Sequence, residues 1–171
     1  MGKILSVLSM VVKITAHIEI PVGGGWGSAG GCTSITIPYT DRLLSARLVM
    51  TEGLEPPPGG TTKVIVDGVV VGTGTYIDAD VTAYAIDGVL RICVEKIAPL
   101  PIYWVGPFTA RGQLVLEYSQ LTEEEIHDVV TTLTKKKEIG LEDVLKWTLV
   151  AVAIGGASYG VAQLIKAVRR R

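Results

Sequence analysis

The sequence predicts a mainly β fold, an antiparallel β-sandwich followed by an amphipathic helix and a C-terminal transmembrane helix. Three observations carry this. Apolar and polar residues alternate over several short runs, Asp-Gly pairs join β-branched runs, and the nineteen residues from Trp147 to Ile165 carry no charge. Period two is the mark of a half-buried strand, and an uncharged helical stretch of that length spans about 28 Å, close to a hydrocarbon core of about 30 Å. The expected division is a sandwich head over 1–120, an amphipathic linker helix over 121–140 and a membrane helix with a basic tail over 141–171.

Composition agrees with that layout. The chain has 171 residues, 48% of them hydrophobic and only 19% charged, with a mean hydropathy of +0.42. That is oilier than a typical soluble domain, and the length excludes two large domains. A net charge of −1 supplies no global attraction to nucleic acid. There is no Asn and the Gln are confined to Gln113, Gln120 and Gln163. Depletion of thermolabile residues is a trait of proteins from very hot environments.

The apolar stretch Ile4 to Val12 behind Lys3 has the look of a signal peptide. It is short, broken by Ser6 and Ser9, and followed by no A-x-A site, so no removable secretion signal is expected. From Val12 to Ile20 alternation is strict, giving a strand ended by Pro21. The glycine-dense segment Gly23 to Gly31 is expected to be an irregular loop. It lacks the G-K-[ST] ending of a phosphate-binding loop, and with Trp26 as anchor between Gly25 and Gly27 it is a candidate contact loop, the plainer alternative being a simple connection.

Strands are expected over Cys32 to Ile37 and Arg42 to Thr51, with Leu44, Ala46, Leu48 and Met50 on one face. Glu55-Pro-Pro-Pro-Gly-Gly60 then makes a stiff turn. Asp67-Gly68 between Val64–Val66 and Val69–Val71 signals a tight hairpin, because both central residues of a type I′ turn need positive φ. A second hairpin is expected at Asp87-Gly88, between Val81–Ile86 and Val89–Glu95. The run Tyr103-Trp104 with Phe108, set among prolines, reads as a plug at one end of the core. A last strand runs from Gln113 to Tyr118. Seven or eight short strands with Gly/Pro turns fit a sandwich of jelly-roll type.

At Leu121 the texture changes. Thr122-x-x-Glu125 is a capping box, with Leu121 and Ile126 placed as a hydrophobic staple. The stripe Ile126, Val129, Val130 and Leu133 follows, then Lys135–Lys137 and a stop at Gly140. The membrane span is bracketed by Trp147 on one side and by Lys166, Arg169, Arg170 and Arg171 on the other, and Ile154 and Ile165 lie within it. A helix buried in the head or in an oligomer is the competing reading. Within the span Ala153, Gly156 and Gly160 line one stripe on which a second helix can approach closely.

Candidates for chemistry are few. Cys32 and Cys93 fit no metal pattern; inert buried thiols are the plainer reading and a disulfide the alternative. Asp78, Asp80 and Asp87 lie near one another, but turn chemistry accounts for Asp87 and no calcium-loop spacing is present. His17 and His127 fall on solvent faces, and no nucleophile stands in a recognisable motif. The expectation is a non-enzyme without cofactor, metal or small-molecule substrate.

In this layout of β-head, uncharged span, arginine tail and Asn-free composition, the chain resembles membrane-associated structural (capsid) proteins of hyperthermophilic archaeal viruses. The resemblance implies a virion component that ties a protein shell to a lipid membrane and carries no catalytic residues. Its partners would be a lipid bilayer, copies of itself and other structural proteins, and its place a virion or host-cell membrane. Two other classes compete: a membrane-anchored module that binds a glycan or receptor, and an accessory subunit of a membrane complex. A row of exposed aromatics beside a groove favours the former and contacts to larger partners the latter, whereas a head whose sides pack against copies of itself favours the structural role.

Overall fold

A computed structural model describes residues 11–134 and 149–152. In chain order its elements are β1 (Val11–Val22), β2 (Gly25–Trp26), β3 (Ser28–Thr36), a 3-10 turn (Thr40–Arg42), β4 (Leu43–Glu52), β5 (Thr61–Val66), β6 (Val69–Thr73) and β7 (Ile77–Asp80). There follow α1 (Thr82–Ala85), β8 (Val89–Ile97), β9 (Trp104–Val105), β10 (Phe108–Ser119), α2 (Glu123–Thr134) and β11 (Leu149–Val152). The fold is mainly β, and every strand pairing in it is antiparallel.

Two sheets enclose one apolar core. The first has the order β11-β1-β10-β4-β7 and the second β3-β8-β5-β6, while β2 and β9 form a two-stranded ribbon of their own. The alternation that marks each strand in the sequence is what divides inside from outside: Val12, Ile14, Ala16, Ile18 and Ile20 of β1 face Leu90, Ile92 and Val94 of β8 across a shared buried cluster. Burial of such side chains contributes roughly 1.5–3 kcal/mol each. Tyr118 is fully buried too, and its hydroxyl donates to the Pro38 carbonyl at 3.0 Å. Burial pushes its pKa well up.

The registers define two poles. At one, Val22 pairs with Phe108 and Ser28 with Ile97. At the other, Val11 pairs with Ser119 and Thr36 with Val89. The twelve residues of β1, at about 3.4 Å each, separate the poles by roughly 37 Å. The α2 helix sits at the second pole. Its capping box is formed: Glu125 N–H donates to Thr122 Oγ1 at 3.2 Å and Thr122 N–H to Glu125 Oε2 at 2.8 Å. Arg42 reaches the same carboxylate at 2.6 Å, and Leu121 and Ile126 are buried as a staple requires.

Several expectations need correction. The segment Gly23 to Gly31 is not an irregular loop: it contains β2 and the first part of β3. A Cβ at Gly31 would lie 2.8 Å from the Pro21 carbonyl oxygen, so glycine here admits the close crossing from β1 to β3 and costs the strand only entropy. The Asp67-Gly68 hairpin is present, with φ of 48° and 85°. The second hairpin is not. Residues 82–85 form the helical turn α1, set by Asp80, whose Oδ1 accepts from the Thr82 backbone N–H at 2.9 Å, and the chain passes from one sheet to the other. Leu44 points outward, half exposed, because the pairing of β4 with β10 slips between Glu117 and Tyr118.

The uncharged span also reads differently over four residues. Leu149–Val152 is strand β11 on the open edge of β1, with Leu149 opposite Ile14 and Val152 opposite Val11. A β-branched, apolar run satisfies an exposed strand edge as readily as it enters lipid. Among the described residues no helix is long and apolar enough to cross a membrane. Trp147, Ala153, Ile154, Gly156, Gly160, Ile165, Lys166 and Arg169–Arg171 lie outside the described residues.

Candidate functional site

Connections β1–β3, β4–β5, β6–β7 and β8–β10 gather at the first pole, and there the surface departs most from an ordinary solvated one. Trp26 of β2 and Trp104 of β9 are register partners. Their rings meet edge to face, with centroids 5.3 Å apart and planes at 65°, a favoured aromatic geometry. Both stay exposed, at 68% and 54%, and in the segment just before Trp104 Ile102 is 74% exposed. Leu100 and Tyr103 are half exposed. A contiguous pair of exposed indoles makes this pole a candidate interaction site, unlike apolar residues exposed singly.

The ribbon is tied down by its backbone. Gly27 N–H donates to the Tyr103 carbonyl at 2.8 Å, and Ala98 N–H to the Gly27 carbonyl at 2.8 Å. Gly27 holds φ at +73°, where a Cβ would lie 2.9 Å from the Pro101 Cα, and a Cβ at Gly24 would lie 2.5 Å from Trp104 Cζ2. The glycines therefore seat the indole of Trp104 and let the chain turn beneath it. Gly25, Trp26 and Gly27, expected as a contact loop, lie at this pole, with Gly25 and Trp26 as strand.

At the same pole is a shallow cavity of about 420 Å³ lined by Pro21, Val22, Gly23, Pro107, Phe108 and Thr109. Lys96 is buried next to it, its ammonium 4.0 Å from the centre of the Phe108 ring. Burial pushes the lysine pKa down, against a smaller upward pull from Glu55. Thr62, the register partner of Lys96, is buried, and its Oγ1 has no hydrogen-bond partner among the described residues.

Tyr103 and Trp104 are thus not a core plug. Val105 is the buried residue of that run, and Phe108 is half buried over Lys96. Period two had no purchase on a two-residue strand, and the signal that was available is the complete absence of charge from residues 20–40 and 97–110.

The remaining candidates are engaged elsewhere. Cys32 and Cys93 are register partners on the outer face of the second sheet and form a disulfide, with Cα atoms 4.0 Å apart, so the buried-thiol reading is overturned. Asp78 accepts two hydrogen bonds from Arg47, which hold its carboxyl below the usual carboxylate range. Asp80 accepts from the Thr82 hydroxyl and backbone and is lowered in the same sense. Among the described residues no cluster of His, Cys, Asp and Glu could hold a metal ion. His17 and His127 are exposed. The sequence matches no protein-family model and no curated protein.

Proposed function

We propose that this protein is a non-enzymatic structural protein, a rigid β-spacer tethered to a membrane by its C-terminal segment and presenting an aromatic tip at the far pole. The observation that carries this reading is the placement of the two ends. β10 ends at Ser119, beside Val11, and hands the chain to α2 at the pole opposite Trp26 and Trp104, roughly 37 Å away.

The strand order supports a role in a shell. Leaving aside β11, β1-β10-β4-β7 against β3-β8-β5-β6 is the connectivity of a double Greek key jelly roll, an architecture shared by viral capsid proteins, lectins and cupins. Fold alone does not decide among these. The uncharged run beyond β11 and the basic tail favour the membrane-associated structural reading, a virion component tying a shell to lipid. Ala153, Gly156 and Gly160 would then pack copies together within the bilayer.

Membrane entry and β11 compete for the same residues. With β11 paired, only Ala153 to Ile165 remain uncharged, about 20 Å of helix against a core of about 30 Å. A spanning helix from Trp147 requires β11 to leave β1. The test is full-length protein in vesicles, washed at alkaline pH and followed by hydrogen exchange. Retention in the membrane together with faster exchange along Val11–Ile14 is the expected result. Release by the wash removes the tether from this reading.

A further inference from the structure

We infer that the aromatic tip is a lipid-docking surface: Trp26, Trp104 and Tyr103 seat in the interfacial layer of a bilayer facing the tip, with Leu100 and Ile102 entering its acyl boundary. The inference deepens the spacer reading and rests on it only for the identity of that bilayer as a second one.

Three observations favour lipid over other occupants. Trp and Tyr are the side chains that concentrate at membrane–water interfaces, because each joins an apolar ring to one polar handle. Here Trp26 and Trp104 stand exposed on a ribbon separate from both main sheets, and the segment leading into β9 adds the exposed Leu100, Ile102 and Tyr103. Next, residues 20–40 and 97–110 bear no charge at all, so nothing in these segments has to be desolvated at a charged cost on entering the interface. Lys96, the neighbouring cation, is withdrawn beneath Phe108.

The third observation argues against a sugar. Stacking a sugar on indole leaves its hydroxyls to be met by carboxylate or amide side chains. This chain has no Asn, neither of its described Gln serves the tip, Gln113 lying within β10 and Gln120 at the opposite pole, and the one carboxylate set against Lys96, that of Glu55, is engaged by that buried cation. A bilayer asks for no such groups. It also asks for no complementary pocket, which a protein partner would have to supply around Ile102.

The experiment uses full-length protein carrying Trp147→Phe, so that Trp26 and Trp104 are the sole indoles. Reconstituted in phosphatidylcholine vesicles, it is mixed with vesicles of dibrominated phosphatidylcholine. Quenching of the indoles and clustering of the two vesicle sets are expected, both insensitive to added salt because no ion pairs are involved. Ile102→Asp, at a position too exposed to matter for folding, should weaken the trans contact by about tenfold. Indoles that stay open to aqueous iodide and unquenched by bromine overturn the inference, as does clustering unchanged in Ile102→Asp. Crosslinks from tip to tip without lipid would also overturn it and assign the surface to a second copy. Should alkaline washing strip the protein from its own vesicles, the tether fails instead, and quenching of the free protein by the dibrominated vesicles still decides the lipid contact.

Discussion

Removing the Cys32–Cys93 bond should destabilise the head by about 4 kcal/mol. The two residues are 61 apart in sequence, and closing a loop of that size withdraws about 14 cal/mol/K of conformational entropy from the unfolded chain. At room temperature that entropy corresponds to the stated free energy. For a chain of this length it becomes a fall in Tm of roughly 8–16 °C. The bond sits on the outer face of the sheet, so its removal opens no core cavity, and the entropic contribution stands nearly alone. Urea unfolding of wild type with and without a reductant, and of Cys32→Val/Cys93→Val, measures it. Valine suits a cross-strand pair and keeps the face packed. A loss below about 1 kcal/mol in both comparisons refutes the reasoning, because it means the unfolded chain is no freer without the bond. A loss in two steps would instead show β3, an edge strand, opening before the rest, and would tie the bond to the adjoining tip ribbon.

Lys96→Met should stabilise the protein near neutral pH, by up to roughly 1 kcal/mol, as apolar replacements of buried charges do. Burial depresses the folded-state pKa of Lys96, so the unfolded chain binds the extra proton, the penalty is present below that pKa, and the advantage of Met should narrow as pH rises toward about 10; thermal melts across that range check it. Glu125 shows the opposite sign: the Thr122 backbone N–H foremost, and Arg42 with it, hold its carboxyl below the ordinary range. Its stabilisation is complete above about pH 5 and disappears on acidification, so Glu125→Gln should melt below wild type at neutral pH and converge with it in acid.

The fold was legible wherever a local rule and the tertiary structure agree. Strict alternation along β1 and β10 names the residues that face the core, Asp67-Gly68 declares its turn, and Thr122 with Glu125 declares the start of α2, because each of these is decided within a few residues. The misreadings share a different cause. Gly31 reads as loop because β3 needs it only for the approach of Pro21, a neighbour ten residues away. Asp87-Gly88 has the composition of a hairpin, yet Asp80 and Thr82 commit the preceding residues to a helical turn. The disulfide follows from a register that joins residues 32 and 93, which no local pattern contains. The site was half legible. Trp26 stood out among glycines, but Leu100, Ile102, Tyr103 and Trp104 look like core to any rule that equates apolar with buried.

The separation of the two poles follows from the way the sandwich is threaded. β1 begins and β10 ends at the same pole, since the two strands are antiparallel neighbours along their whole length. A segment appended after β10 therefore emerges there, where α2 docks through Arg42 and Tyr39, whose hydroxyl donates to Asp128 at 2.9 Å. The opposite pole is left with connections alone. Such connections tolerate residues that the core would reject, because their side chains meet solvent or a partner and not the facing sheet. The far pole is accordingly where exposed indoles can be carried without disturbing the core, and the near pole is where a tether can be attached without reaching the indoles. Sites this far apart with no shared partners contribute additively, so tip and tether can change independently while β1 and β10 keep them apart.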